Sequence, residues 1–251
     1  MSTIVNYAKA LASSAWMNSI ATRGQFRELK EKTAVVVADV LPKEACQEMV
    51  ARIDKMADDM LHPRVWRDDV GSDTRIFGFE QEIPEFIKHF EIQRRIDAVD
   101  AYTGRKTKSW FLMANRVLPK ENNLGSGGGL HRDSPFSHQV KCIWYLSDVT
   151  RENGPFQYIP HTHFNTLKTR KDYPLGKSRF DRVHHELVEV TAEAGSLLIC
   201  DTKCIHGGKP IETGARYAVT LYTLPTENGA ADIFRKSKIE PELAKRASEN
   251  K

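Results

Sequence analysis

The chain has 251 residues, 40% apolar and 28% charged, which suits one ordinary soluble globular domain with a sizeable core. No apolar run reaches the roughly 18 residues a membrane span needs, so no membrane-spanning helix is expected. The net charge of +4 is concentrated after residue 234 in six Lys/Arg against three Glu, leaving 31 cationic against 30 acidic side chains elsewhere. That distribution argues against a nucleic-acid-binding face.

In chain order, the N-terminus MSTIVNYAKALASSAWMNSI lacks a basic segment ahead of a sustained apolar stretch. It is a poor signal peptide, and a cytoplasmic protein is expected. Residues 1–104 read as mainly helical. Lys43 to Leu61 carries Cys46, Met49, Val50, Ile53, Met56, Ala57 and Met60 at helical spacing, with Pro42 at its start. Pro84 to Tyr102 repeats the pattern through Phe86, Ile87, Phe90, Ile96 and Val99 and closes at Gly104. Between them, the polar stretch His62 to Arg75 reads as a loop.

From residue 105 to 225 the pattern changes to short β-type runs: 108–118, 139–149, 156–164, 186–192, 196–202 and 216–224. Turns such as ENGP, EAG and GGKPIETG separate most of them. No strand–helix alternation is visible, which disfavours a parallel sheet, and a jelly roll is one way of closing such a set. Residues 226–251 read as a polar tail. The glycine run LGSGGG (Leu124 to Gly129) lacks the Lys-Ser/Thr ending of a phosphate-binding loop.

Directly after that run comes LHRD. A lone His-x-Asp is weak and on its own reads more readily as an exposed turn. In extended chain, however, His131 and Asp133 project to one side and can converge on one ion. CIHGGKP supplies a distant third ligand, His206, read as the end of an apolar strand. Two imidazoles and one carboxylate on one face leave coordination positions open, as in non-haem Fe(II) oxygenases. Arg216, ten residues further on, heads the next β run, and a hairpin through GGKPIETG is expected to return it beside the His206 strand. There its guanidinium can clamp the distal carboxylate of 2-oxoglutarate. Cys200 and Cys204 flank His206 and raise zinc as an alternative, but no second Cys/His pair follows at zinc spacing. The four cysteines do not form a disulfide framework.

The segments LHRD, KCIWYLSDVTRENGPFQYIPHTHF and GSLLICDTKCIHGGKPIETGARYAVT together resemble the phytanoyl-CoA dioxygenase family of Fe(II)/2-oxoglutarate oxygenases. The match falls on His131, Asp133, Trp144, Asn153 to His163, His206, Gly207 and Arg216, within residues 115–224. The resemblance implies a double-stranded β-helix, a cupin-like jelly-roll core buttressed by N-terminal helices. It further implies iron on His131, Asp133 and His206, with 2-oxoglutarate held by Arg216 and lined by Trp144. O2 is then the oxidant, and succinate and CO2 are released. An aspartate at 133, where related halogenases carry a small residue, favours hydroxylation. Asn115 is expected to point towards the co-substrate.

Two departures stand out. Gly208 replaces a residue that often carries a hydroxyl in relatives, so that contact must come from elsewhere or be absent. His161 takes the place of a glycine and becomes a candidate substrate contact. His138 and Arg132 are further candidates near the ligands, while the pair His184-His185 reads as solvated. The expected partner is a small-molecule substrate. The cations of the segments 62–75 (Arg64, Arg67) and 168–185 (Lys168, Arg170, Lys171, Lys177, Arg179, Arg182) would suit an anionic one, and equally suit plain solvated loops. The alternatives are a cupin-like metalloenzyme that does not use 2-oxoglutarate, for which a buried Arg216 has no purpose, and a jelly-roll binding module without turnover.

Overall fold

The computed structural model describes residues 26–59, 61–133, 138–163, 187–227 and 229, the backbone at 164 and 178–179, and isolated positions at 8, 12, 15, 16, 231–233 and 235. Helix α1 (Arg27–Lys32) leads into strand β1 (Ala34–Val37) and helix α2 (Lys43–Asp58). A hairpin of β2 (Val65–Arg67) and β3 (Asp73–Phe77) precedes helix α3 (Ile92–Thr103). Nine strands follow: β4 (Ser109–Val117), β5 (His131–Arg132), β6 (Val140–Tyr145), β7 (Phe156–Tyr158), β8 (Ser178–Arg179), β9 (Val188–Val190), β10 (Leu197–Asp201), β11 (His206–Gly208) and β12 (Arg216–Leu224). They form a seven-stranded sheet in the order β1-β10-β6-β12-β4-β3-β2 and a five-stranded sheet in the order β8-β5-β11-β7-β9. Neighbouring strands pair antiparallel throughout. The expected jelly roll is the observed architecture.

The seven-stranded sheet is covered on both sides, and strand alternation sorts its residues. Cys142 and Trp144 of β6, Leu112 and Ala114 of β4, and Val219 and Leu221 of β12 face outward onto the apolar stripe Met49, Ile53 and Met56 of α2. Burying side chains of this size stabilises by roughly 1.5–3 kcal/mol each. The intervening Ile143, Tyr145, Met113, Asn115, Ala218 and Thr220 face a cavity on the other side.

The N-terminal part departs from the helical reading. Three of its segments are strands of the large sheet, and the expected loop 62–75 contains most of the β2–β3 hairpin. Its pattern looks like a loop because β3 alternates Asp73 and Arg75 with Thr74 and Ile76, so three of the first four residues are polar. The helix expected over 84–102 is split into a 3-10 turn (Ile87–Phe90) and α3. Phe90 is fully buried edge-on against Trp144, with ring centroids 4.9 Å apart, and the chain then reverses through Glu91 at φ 47°. Ion pairs from Glu91 to Arg94 and Arg95 brace that left-handed residue. Gly104, at φ 64°, ends α3 with its N–H donating to the Asp100 carbonyl, as expected of a left-handed cap.

Candidate active site

A cavity, part of it open to solvent, lies between the two sheets. His131 and His206 enter it from the small sheet because β5 and β11 pair antiparallel with these two residues directly opposite one another. Directly opposed side chains in such a pair are neighbours, and the two imidazole centroids are 4.5 Å apart. Asp133 follows one residue beyond β5, held by its backbone N–H donating to the Thr202 carbonyl at 3.1 Å. Its Oδ1 lies 3.7 Å from His131 Nε2 and 4.0 Å from His206 Nε2. One ligand atom from each of the three residues falls within 4.8 Å of the others.

The surroundings prepare these side chains for a metal. Each Nδ1–H donates to a backbone carbonyl, His131 to Gly129 at 2.9 Å and His206 to Cys204 at 3.0 Å. That fixes the tautomer and leaves the Nε2 lone pairs facing Asp133. Burial alone would raise the Asp133 carboxyl, but Lys141 and the two imidazoles outweigh it and hold the group well below the usual carboxylate range. A carboxylate oxygen and two imidazole nitrogens, each ring held by its Nδ1–H bond, suit a divalent metal of the Fe(II) type. Cys200 and Cys204 are buried free thiols and lie outside this cluster, among the described residues.

The glycine loop is packed onto the ligands. Gly127, at φ 91°, sits so close to His131 that a Cβ there would lie 2.5 Å from the ring carbon Cε1. A Cβ on Gly208 would lie 2.7 Å from the Ser126 nitrogen and 2.9 Å from its Cβ. The space a larger residue 208 would need is therefore occupied by Ser126. Its hydroxyl donates to Asp73 Oδ2 at 3.0 Å on the cavity wall.

Arg216 is buried in the same cavity but reaches it differently from the expected hairpin. β12 belongs to the large sheet and pairs with β4 and β6, whereas β11 pairs with β5 and β7 in the small one. The chain crosses between the sheets after Gly208, so Arg216 faces the ligands from across the cavity. Its Nη1 donates to the Gly154 carbonyl in the ENGP turn, and its Nε has no hydrogen-bond partner among the described residues. Burial lowers its pKa, opposed by Tyr145 and Asp73. Asn115 lines the cavity as expected, its amide 3.4 Å from Asp73 Oδ1.

Trp144 does not line it. The indole is fully buried on the outer face of β6 against Phe90, and Ile143 and Tyr145 take the inward positions. A one-residue offset along a strand reverses the face.

The remaining candidates are dispersed. His161 is exposed, with its backbone N–H donating to Thr33 Oγ1, and it does not border the cavity. His138 is buried beside Thr103, 3.2 Å from its hydroxyl. Arg132 points away from His131 and donates to the carbonyls of Thr162 and Lys203. Arg64 is tied to Glu82 and the Gly78 carbonyl, and Arg67 to the carbonyls of Ala57 and Asp59. His184-His185 and the side chains of 168–185 lie outside the described residues. The wall residues Arg75, Ser126, Lys141 and Tyr222 were not anticipated; alternation carried inward from Asn115 and Arg216 was the available signal.

Two imidazoles and a carboxylate converging inside a double-stranded β-helix define the class of non-haem metal oxygenases. The chain belongs to the phytanoyl-CoA dioxygenase family, whose sequence profile matches residues 30–218. Similar solved structures include the epimerase SnoN with Fe3+, alpha-ketoglutarate and nogalamycin RO (18% identity, 84% of each chain covered, TM-score 0.59). EvdO2 from Micromonospora carbonacea var. aurantiaca is 15% identical over 81% of this chain and 91% of its own, with a TM-score of 0.59. HygX from Streptomyces hygroscopicus with nickel, 2-oxoglutarate and hygromycin B is 17% identical over 83% and 89%, with a TM-score of 0.51. At these identities the likeness is one of fold. No curated protein sequence matches the chain significantly. Among the described residues no helix is long and apolar enough to cross a membrane.

Proposed function

We propose that the protein is an Fe(II)- and 2-oxoglutarate-dependent dioxygenase that hydroxylates a small-molecule substrate and releases succinate and CO2. The observation that carries this reading is the convergence of His131, Asp133 and His206 within 4.8 Å, in a cavity that also buries Arg216. Family membership supports it. So do the ligands named for SnoN and HygX, which are a metal ion, the keto acid and a natural product.

In this assignment the Nε2 atoms of His131 and His206 and a carboxylate oxygen of Asp133 hold iron. Arg216 pairs with the distal carboxylate of 2-oxoglutarate, its Nε having no hydrogen-bond partner among the described residues. Tyr145, on the inner face of β6, provides a hydroxyl donor to the same end, whereas the Ser126 hydroxyl beside Gly208 is already donated to Asp73. When bound, iron and the keto acid supply the oxidising chemistry with O2. The protein orients both.

The test is succinate production from 2-oxoglutarate with Fe(II) in air, across a metabolite panel. Wild-type protein is expected to release succinate faster with a substrate present. Asp133→Ala is expected to release none. Equal succinate from the two proteins would overturn the assignment.

A further inference from the structure

A second cation points into the cavity next to the metal ligands. Lys141 lies on the inner face of β6, where the pairs Tyr145–Ala218 and Ile143–Thr220 put it opposite Tyr222 of β12. Its ammonium sits 3.9 Å from the Tyr222 ring centroid and 3.8 Å from Asp133 Oδ2, and its side chain is 7% exposed. Neither contact is a hydrogen bond. Three N–H donors therefore face the cavity with no acceptor in bonding distance among the described residues.

Its nearest counter-charge is Asp133, while Arg75 is paired with Asp73 at 2.6 Å. On the proposed function Fe(II) and dianionic 2-oxoglutarate cancel, so Asp133 is the single negative charge set against both Arg216 and Lys141. The site then carries one buried positive charge in excess, which is costly. On the proposed function both ends of 2-oxoglutarate are already engaged, one by the metal and the other by Arg216.

We propose that Lys141 is a substrate-binding residue that receives a single carboxylate, and hence that the substrate is a monoanionic carboxylic acid. Its body would lie along the apolar wall formed by Phe156, Ile143 and Met113. This rests on the oxygenase reading above.

The test uses full-length protein loaded with Ni(II) and 2-oxoglutarate, which does not turn over. Straight-chain carboxylates from butanoate to octanoate are titrated calorimetrically beside the primary amides of equal length. At least one carboxylate is expected to bind tenfold or more tightly than its amide. Lys141→Met is expected to erase that preference and Lys141→Arg to keep it, with 2-oxoglutarate affinity within about threefold of wild type in both. Equal binding of carboxylates and amides by wild-type protein that takes up Ni(II) and 2-oxoglutarate overturns this inference alone, and needs no variant to fold. Loss of 2-oxoglutarate binding in a folded Lys141→Met protein also overturns it, because Lys141 would then serve the co-substrate. Failure of wild type to bind either Ni(II) or 2-oxoglutarate overturns the oxygenase reading and this inference with it.

Discussion

Gly127→Ala tests whether the glycine loop sets the position of a metal ligand that it never replaces. The residue sits at φ 91°, and the new methyl would approach His131 Cε1 to 2.5 Å. Carbon atoms pack best at about 3.5–4.0 Å, so the ring must retreat by roughly 1 Å. The Nδ1–H bond to Gly129 and the opposition to His206 resist that movement. Metal sites tolerate misplacement of only about 0.2 Å, and disturbing the support of a ligand typically costs about 10–100-fold in affinity. The left-handed backbone adds a stability cost of about 1–2 kcal/mol. Gly71→Ala is the control. Its φ is 71° and a methyl there meets nothing within 4 Å, so it carries the backbone cost without the collision. Urea unfolding and Ni(II) calorimetry on both variants separate the two effects. Gly127→Ala should lose at least tenfold in Ni(II) affinity, and Gly71→Ala should match wild type. Equal Ni(II) affinity in the two variants would refute the reasoning.

Arg216→Met should weaken 2-oxoglutarate binding roughly 30-fold or more, the effect of about 2–5 kcal/mol for a buried charge left unpaired, while Ni(II) binding survives; calorimetry with each ligand reads both. Ser126→Ala should leave 2-oxoglutarate affinity unchanged in the same assay, because its hydroxyl proton is donated to Asp73. Gly208→Ser, which would restore a hydroxyl at that position, should instead destabilise by about 1–3 kcal/mol through overpacking against Ser126, and an unaltered urea midpoint would contradict that packing. Trp144→Phe should lower stability without changing the 2-oxoglutarate dissociation constant, since the indole lies on the outer face of β6.

Stability should also fall in mild acid. Burial pushes His138 and His163 down to about 4, whereas an unfolded histidine titrates near 6.5. The unfolded chain therefore takes up protons that the fold refuses, and stability complete above about pH 6.5 is lost as the pH falls towards 4, by about 1.4 kcal/mol per unit for each residue. His163→Gln should flatten the decline in unfolding free energy between pH 6.5 and 5, and an unchanged slope would refute the assignment.

The ligand set is legible in the sequence because it is carried by short motifs. His131 and Asp133 share one side of an extended chain, and His206 stands before a glycine pair. β5 and β11, which hold the histidines, are only two and three residues long and show no periodicity of their own. The pairing that opposes them is a long-range event no local pattern records. The family resemblance puts Trp144 at the co-substrate, and the local pattern cannot correct it. β6 is buried on both faces, by helices on one and the cavity on the other, so its run VKCIWY has no clean alternation to give its phase. The β2–β3 hairpin was hidden by the polar groups Asp73 and Arg75 that this site requires. The sheet crossing before Arg216 was hidden because a turn-rich connection does not reveal which sheet it enters.

Anaerobic titration with Fe(II) and then 2-oxoglutarate, followed by visible absorption, examines the central claim most directly. A weak charge-transfer band should grow to one equivalent in wild-type protein, be absent in Asp133→Ala, and require far more 2-oxoglutarate in Arg216→Met. A band of wild-type strength in Asp133→Ala would show that the metal is held elsewhere.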